Sequence, residues 1–286
     1  MSASTMSLDR YIQQHLQQTI IKSESVGTGL FAAHKLQLES GDKVFIKTQS
    51  SPNQQLIHEA KELALLGQYI ATPKVLGSDE YCLILQWIDS AHNPQSQAQL
   101  GQQLAHLHQQ SHRCFGFEFD NKIGQTPQYN APNEQISNWA EFYWLYRLLP
   151  QITLAKEKHH LSQQECQQLY QLEPILPTLL DDVIKPALLH GDLWSGNVIS
   201  AKDQPYLIDP ASYYGHREAD FSLSFIFGGF STEFYQAYQS VYPLDEGFER
   251  RKPLYMLYHY LNHLNLFGSG YHGSSMRCAE QLLKTS

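Results

Sequence analysis

The chain has 286 residues, of which 42% are hydrophobic and 17% charged, a balance typical of globular proteins that bury a substantial core. Its formal net charge is −8 and Lys and Arg form no local cluster, which argues against a nucleic-acid-binding surface. The N-terminal stretch lacks the pattern of a signal peptide, and no apolar run is long enough to span a membrane. We therefore expect a cytoplasmic protein without nucleic-acid or membrane partners; its oligomeric state cannot be read from the sequence.

The first part of the chain has the pattern of a β-rich domain with one crossing helix. Apolar residues at helical spacing predict a helix over 7–19, and alternating residues around a Ser-Gly-Asp turn predict a β hairpin within 20–47. A second helix is predicted over 53–69, followed by strands in TPKVLG and YCLILQWID. This order predicts a first domain over residues 1–88.

Beyond residue 88 the pattern becomes mostly helical, and residues 89–286 are predicted to form a second, larger domain. Helices are predicted around Leu100, Leu104 and Leu107 and over 136–149, 162–172, 217–227, 231–241 and 247–267. The loop 115–135 is too long to be a simple connection. The expected fold class is therefore α+β, with a small β-rich part before a larger helical part.

The stretch HGDLWSGNVIS, which begins at His190, concentrates polar side chains on a short loop. Asp192 and Asn197 precede a short apolar strand, and Asp209 lies just beyond the end of a second strand. A hairpin of the two strands would bring these three side chains together. Carboxylate and amide oxygens suit a hard cation such as Mg²⁺, which usually binds one or two carboxylates together with substrate phosphates.

The five-residue spacing from Asp192 to Asn197 is that of the protein-kinase catalytic loop, although His190 and Gly191 replace the usual His-Arg pair. Phosphoryl transfer depends mainly on positioning and on neutralising charge. We therefore predict that Asp192 is catalytic and faces a substrate hydroxyl, and that Asn197 and Asp209 bind Mg²⁺. A polar turn without catalytic function is the alternative.

A second group of residues matches a nucleotide site. Lys47 ends the β run KVFIK, the position from which a kinase lysine contacts phosphates. Its predicted partner on the following helix is Glu59, with Glu62 as the rival. Gly27 and Gly29, in VGTGLFA, lie where backbone N–H groups can cover phosphates. The predicted cofactors are accordingly ATP and Mg²⁺.

The segments LLHGDLWSGN and IDPASYYGHREAD resemble those of the fructosamine kinase (ketosamine-3-kinase) family, in the aminoglycoside-phosphotransferase-like branch of the protein-kinase-like fold. The resemblance extends to DNKIGQTPQYN, NWAEFYWLYRLLPQ and LYMLYHYLNHLNLFGSGY, and so covers nearly the whole chain. It implies a two-lobed protein-kinase-like fold, with a small β-rich N-lobe and a larger, mainly helical C-lobe.

The resemblance also implies an activity: ATP- and Mg²⁺-dependent phosphorylation of the sugar O3 of ketosamines, on small amines or on glycated protein lysines, as a repair reaction. It implies that Asp192 is the base, that Asn197 and Asp209 hold Mg²⁺, and that Lys47 and Glu59 secure the nucleotide. The further residues it implies are Gln86, Trp87 and Ile88 as the hinge against adenine, Trp194, His216 and Arg217 on the substrate side, and His190 and Asp220 as supports of the catalytic loop.

Three alternatives remain open at this point. In the first, the substrate is another amine-bearing alcohol, as in aminoglycoside- or choline-type phosphotransferases. In the second, the chain is a catalytically silent nucleotide-binding scaffold. In the third, Trp194 belongs to the core and does not contact a substrate. The sequence does not say which ketosamine is preferred.

Overall fold

The computed structural model describes residues 7–27, 31–180 and 184–284. The chain divides into two compact units. The first takes in the chain up to Ser96 together with Val198–Asp209, and the second takes in Gln97–Asn197 and the chain from Pro210 onward.

This division differs from the predicted boundary in two places: the first unit extends past residue 88 to Ser96, and it also includes one hairpin from later in the chain. Its strands, β9 (Val198–Ser200) and β10 (Pro205–Leu207), were expected in the second domain but belong to the first unit. The N–H of Leu207 donates to the carbonyl of Ala71, and the N–H of Ala91 donates to that of Ser200. These long-range backbone bonds attach the hairpin to the first unit, so that Asp209 lies in the same unit as Lys47.

The first unit is built on a five-stranded antiparallel sheet in the order β1-β2-β3-β5-β4. The strands are β1 Ile20–Ser25, β2 Ala32–Leu38, β3 Lys43–Thr48, β4 Val75–Ser78 and β5 Cys82–Gln86. The segment 20–47 therefore forms three strands instead of the expected single hairpin, because β1 pairs with β2 while β2 pairs with β3.

Two helices cover opposite faces of this sheet. Helix α1 (Leu8–Leu16) packs on the side to which Cys82 and Ile84 point, and α2 (Gln55–Leu66) packs on the side of Leu83 and Leu85. Successive side chains of a strand point to opposite faces, so β5 alone serves both helices. This explains why the strand reads as a continuous apolar run.

The second unit is mainly helical. Its helices are α3 Ser96–His108, α4 Trp139–Tyr143, α5 Leu149–Glu157, α6 Gln163–Tyr170, α7 Leu176–Leu179, α8 Ser222–Phe227, α9 Thr232–Val241, α10 Phe248–Phe267 and α11 His272–Lys284. A π-helical segment, Trp144–Leu148, joins α4 to α5, and 3₁₀ turns lie at Glu173–Ile175, Ser195–Asn197, Arg217–Phe221 and Ser269–Tyr271. Within the described parts of the chain, no helix is both long and apolar enough to cross a bilayer.

Two short sheets complete this unit. Strands β6 (Asn121–Ile123) and β7 (Thr126–Gln128) form a hairpin inside the long loop expected over 115–135, and β8 (Ala187–Leu189) pairs with β11 (Tyr213–Gly215). The pairing of β8 with β11 brings the chain before the HGD triplet beside the chain after Asp209.

Helix α10 forms the centre of the second unit's core. Leu254, Leu257, Leu261 and Leu264 recur every three or four residues and are all fully buried. Helix α11 packs against α10 through residues such as Ala279 and was not among the predicted helices.

Three histidines buried in the second unit predict a loss of stability in acid. Burial lowers the pKa of His108, of His216 and of His259 below the usual 6.5, that of His259 to about 3. The unfolded chain binds these protons near pH 6.5 and the folded chain does not. Their contribution to stability is therefore complete above about pH 6.5 and is lost as the pH falls from there, by up to about 1.4 kcal/mol per pH unit for each histidine.

Urea unfolding followed by tryptophan fluorescence at pH 7.5, 6.5 and 5.5 measures this slope. We expect the free energy of unfolding of His259→Gln to fall less steeply with decreasing pH than that of the wild type, by up to about 1.4 kcal/mol per pH unit. It should still fall in acid, because His108 and His216 remain. Equal slopes for the variant and the wild type would contradict the assignment to His259.

Candidate active site

In the first unit, Lys47 lies between two carboxylates. Its Nζ is 2.7 Å from Oε1 of Glu59 and also contacts Oδ1 of Asp209. The position follows from the sheet: Lys47 pairs with Leu83 of β5, and Leu83 packs against α2, the helix that carries Glu59. Of the two glutamates considered from the sequence, the structure thus places Glu59 against Lys47.

Burial and charge together keep this lysine cationic. Burial alone would lower the pKa of Lys47, but the carboxylates of Glu59 and Asp209 outweigh it and raise that pKa. Burial raises the pKa of Glu59, Lys47 opposes this, and the negative charge of Asp209 adds to it. Two carboxylates therefore contact one ammonium in this cluster.

Asp209 is the exposed member of this cluster. Its side chain is 46% exposed, against 11% for Lys47, and its backbone has φ of +52°. The left-handed conformation is uncommon outside glycine, and such conformations concentrate at functional positions. Asp209 lies two residues after the end of β10, so this turn in the backbone sets the direction of the carboxylate just beyond the strand.

In the second unit, Asn197 orients the carboxylate of Asp192. Its Nδ2 donates to the backbone oxygen of Asp192 at 2.8 Å and to Oδ2 at 3.0 Å. The turn that carries Asn197 is a 3₁₀ turn, Ser195–Asn197, whose closure brings the two side chains together five residues apart. Since Nδ2 is engaged, the amide oxygen is the atom that Asn197 can offer to a metal.

A buried carboxylate fixes the start of this loop. The two oxygens of Asp220 accept the N–H groups of His190 and Gly191, each at 2.7 Å. A side chain at position 191 is excluded, because φ is +83° and a Cβ there would lie 1.9 Å from the carbonyl oxygen of Ala211. The supporting position predicted for Asp220 thus has a direct physical basis in two hydrogen bonds.

His108 holds Asp220 from the other side and was not predicted. Nε2–H of this buried histidine donates to Oδ2 of Asp220 at 3.1 Å, and Nδ1 accepts the hydroxyl of Tyr238 at 2.9 Å. Burial alone would raise the pKa of Asp220, but its hydrogen bond to His108 and the charges and N–H groups around it outweigh burial and lower that pKa. The carboxylate therefore stays ionised, as acceptance of two backbone N–H groups requires.

Gln128, in the segment DNKIGQTPQYN, supports the chain at Ala211 that packs against Gly191. Its Nε2 donates to the carbonyl of Ala211 at 2.9 Å, the same carbonyl that lies against Gly191, and Tyr258 donates to its Oε1 at 3.0 Å. The sequence singled out this segment but gave no role to the glutamine; the structure gives it a supporting one.

Trp194 lies at the surface and not in the core. Its side chain packs over its own loop, where a Cβ at Gly196 would come within 2.2 Å of the indole, and the residue remains 38% exposed. An exposed aromatic face two residues after Asp192 is available to a substrate, and a substrate contact therefore stays the prediction for it.

His216 and Arg217 are buried and engaged within the second unit. Nδ1 of His216 contacts the hydroxyl of Tyr255, and Arg217 donates to the carbonyl of Tyr242 and to Asp245, both at 3.0 Å. They line a cavity of about 650 Å³ whose described lining includes neither Asp192 nor Trp194. A substrate contact therefore stays a prediction for both residues.

The predicted adenine hinge begins at Gln86, the last residue of β5. The N–H of Gln86 donates to the carbonyl of Lys74, the N–H of Trp87 donates to that of Lys43, and Ile88 is largely buried. Of the two predicted loop glycines, Gly27 has φ of +83°, which suits a tight backbone turn, and Gly29 lies outside the described residues. The contacts of all these residues with a nucleotide stay predictions.

The oxygen donors fit the predicted metal by their chemistry. Asp209 carries carboxylate oxygens, and Asn197 carries an amide oxygen. A hard, oxygen-preferring ion such as Mg²⁺ suits this set, whereas no thiol or imidazole that would favour a softer metal belongs to it.

Comparison with known proteins identifies relatives of this chain. A protein-ribulosamine 3-kinase of Arabidopsis thaliana, described as chloroplastic, is 40% identical over 270 residues, which cover 92% of this chain and 74% of the relative. The crystal structure of a Thermobifida fusca protein, provisionally named fructosamine-3-kinase, has a TM-score of 0.90 at 30% identity and covers 97% of this chain and 99% of that one.

A more distant structure shows the breadth of the fold. The ternary complex of APH(2″)-IIa with streptomycin and ATP has a TM-score of 0.66 at 15% identity and covers 97% of this chain and 99% of that one. At this identity the likeness concerns the fold alone, and it confirms the α+β, protein-kinase-like class.

The family model described as fructosamine kinase matches residues 4–285, nearly the full length of the chain. The lysine–glutamate pair, the HGD loop with its asparagine and the following aspartate all lie within that match. The chain therefore belongs to the fructosamine kinase family and is an ATP-dependent phosphotransferase with a hydroxyl group as acceptor.

Proposed function

We propose that the protein uses ATP and Mg²⁺ to phosphorylate the O3 hydroxyl of ketosamines, carried on small amines or on glycated protein lysines, and so contributes to the repair of glycated amines. The observation that carries the proposal is the charge-fixed Lys47 between Glu59 and Asp209. The names of the relatives support the ketosamine class: the Arabidopsis thaliana protein is a ribulosamine 3-kinase and the mouse relative, 38% identical over 229 residues, a ketosamine-3-kinase.

On the nucleotide side, Lys47 binds phosphate oxygens. Its ammonium is held by Glu59 on one side, so the position of the charge is set before ATP arrives. Asp209 and Asn197 would hold Mg²⁺, which supplies neutralisation of phosphate charge during transfer. Backbone N–H groups near Gly27 add further donors to the phosphates.

On the acceptor side, Asp192 accepts the proton of the sugar hydroxyl as the sugar oxygen bonds to the γ-phosphorus of ATP, whose bond to the β–γ bridging oxygen breaks to release ADP. Asn197 fixes the carboxylate through Oδ2, and the brace by Asp220 fixes the peptide that precedes it. A positioned general base contributes about 10²–10⁴-fold to the rate. The exposed face of Trp194 packs against the apolar C–H surface of the sugar.

A substrate panel tests the proposal. ATP consumption is measured with ribose-, erythrose- and glucose-derived ketosamines of N-acetyl-lysine, with an aminoglycoside and with choline, at one ATP concentration and with excess Mg²⁺. We expect turnover with at least one ketosamine and none with the other two acceptors. Turnover of the aminoglycoside or of choline alone would replace the ketosamine assignment, and ATP binding without any turnover would favour a silent scaffold.

Substitution separates the metal ligand from the base. Asp209→Ala should weaken Mg-ATP binding as well as turnover, because it removes a metal ligand and a partner of Lys47. Asp192→Ala should lower kcat by about 10²–10⁴-fold and leave Mg-ATP binding nearly unchanged. Calorimetric titration of both variants with Mg-ATP provides the measurement, and equal losses of affinity in the two would refute this division of roles.

The exposure of Trp194 leads to a further prediction. Trp194→Ala should keep a near-normal melting temperature and Mg-ATP affinity while raising KM for ketosamines, because the indole is a surface contact. Trp144→Ala is the control in the same unit: that side chain is buried, and its truncation should cost about 3–5 kcal/mol of stability. A fall in melting temperature in Trp194→Ala as large as in the control, with KM unchanged, would return Trp194 to a structural role.

A further inference from the structure

A continuous run of aromatic rings extends from Trp194 across the second unit. We name it the aromatic strip and define it as Trp194, Phe227, His263, Phe267 and Tyr271. Ring centroids are 6.1 Å apart for Trp194 and Phe227, 5.0 Å for Phe227 and His263, and 5.4 Å for His263 and Phe267. Tyr271 lies 5.1 Å from His263 and closes the far end.

Much of this strip is exposed. Trp194 is 38%, Phe227 41% and Phe267 69% exposed, and Phe267 is the most exposed large hydrophobic residue among those the structure describes. Single exposed apolar residues are ordinary, but contiguous exposed apolar patches mark surfaces that bind something. Large aromatic side chains are also those that contribute most at binding surfaces.

The strip is held by its surroundings. His263 and Phe267 lie four residues apart on the last turns of α10, hence on one face, and His263 bonds through Nδ1 to the carbonyl of His259 at 2.8 Å. At the other end Gly229, with φ of +91°, lies against Ser195 so closely that a Cβ would come within 2.3 Å of Oγ. This contact keeps the turn after Phe227 beside the loop that carries Asp192.

The strip carries no formal charge. Burial lowers the pKa of His263, and its Nδ1–H donates to a carbonyl, so the ring is neutral near pH 7. Its ligand is therefore recognised by apolar and aromatic surface and not by ion pairing, and we expect binding to change little with salt.

We propose that the aromatic strip binds the amine-derived part of the substrate, as an extended peptide segment with apolar or aromatic residues beside the glycated lysine. The inference rests on the proposed function, since it places the sugar hydroxyl at Asp192 and the sugar on Trp194. From there the strip is the apolar surface that continues away from the base. The strip is then the region that distinguishes a glycated protein segment from a small glycated amine.

The length of the strip fits a peptide. Beyond Trp194, where the sugar lies, the two centroid steps from Phe227 to Phe267 add up to at most about 10.4 Å. An extended chain advances about 3.3–3.6 Å per residue, so about three residues cover this distance. A single amino acid on the sugar leaves Phe267 uncovered, which is why the exposed end of the strip is the part to test.

Three substrates with the same sugar test the proposal. They are the ribulosamine of N-acetyl-lysine, acetyl-Gly-Ser-Lys-Ser-Gly amide with ribulosylated lysine, and acetyl-Leu-Phe-Lys-Leu-Phe amide with the same modification. We expect wild-type kcat/KM to be about tenfold higher for the apolar peptide than for the Gly-Ser peptide. Phe267→Ser should remove most of this preference and leave the N-acetyl-lysine adduct unaffected.

Leu145→Ser is the matched control, because Leu145 is an apolar residue, 40% exposed, in another helical segment of the same unit. It should retain the wild-type preference. Equal wild-type kcat/KM for the two peptides, or an equal loss on all three substrates in Phe267→Ser, would overturn the proposal. So would sedimentation data in which Phe267→Ser converts a dimer to a monomer while the peptide preference persists, since the strip would then be covered by a second copy.

Failure of the proposed function is distinguishable from failure of this inference. If no ketosamine is phosphorylated, the proposed function fails, and fluorescence anisotropy with labelled, unmodified forms of the two peptides still reports on the strip. Tighter binding of the apolar peptide that is lost in Phe267→Ser supports a peptide-binding strip, and equal affinities for the two peptides reject it.

Discussion

The geometry of the loop that carries Asp192 depends on the hydrogen bonds that the buried carboxylate of Asp220 accepts. A carboxylate is stable away from water only when its oxygens accept hydrogen bonds. Here the donors are two consecutive peptide N–H groups and the ring of His108. Because the N–H groups of His190 and Gly191 are held by one rigid group, the loop starts in a single orientation. Asp192 is the next residue, and its carboxylate accepts a hydrogen bond from Asn197.

The cluster around Lys47 depends on charge. The carboxylates of Glu59 and Asp209 raise the pKa of the Lys47 ammonium, and Asp209 has a left-handed backbone. For a residue other than glycine this conformation costs about 1–2 kcal/mol. Under the proposed function, a phosphate would bind Lys47 and a cation would bind Asp209, so both features would serve the binding of Mg-ATP.

What could be predicted from the sequence depends on how local the information is. The spacing from Asp192 to Asn197 and the position of Lys47 at a strand end are short-range patterns, and the structure gives those residues the contacts such patterns suggest. His108 was passed over because its partner lies 112 positions away. For the same reason the attachment of the β9–β10 hairpin to the first unit could not be read: it rests on distant backbone bonds. His216 and Arg217 were placed by resemblance alone, and neighbourhood in sequence to Asp220 did not reveal that both are buried.

The aromatic strip shows a limit of a different kind. Aromatic residues at helical spacing on α10 are normally core residues, and several on this helix, such as Tyr255 and Tyr258, are indeed buried. Periodicity assigns residues to a face but cannot say whether another element covers that face. None of the described elements covers Phe267 enough to bury it. Its connection with the loop that carries Asp192 is visible only in three dimensions, through the run of rings back to Trp194. Under the two proposals, the loop that carries Asp192 has to hold its carboxylate still during phosphoryl transfer, whereas the aromatic strip has to stay open to substrates of different size.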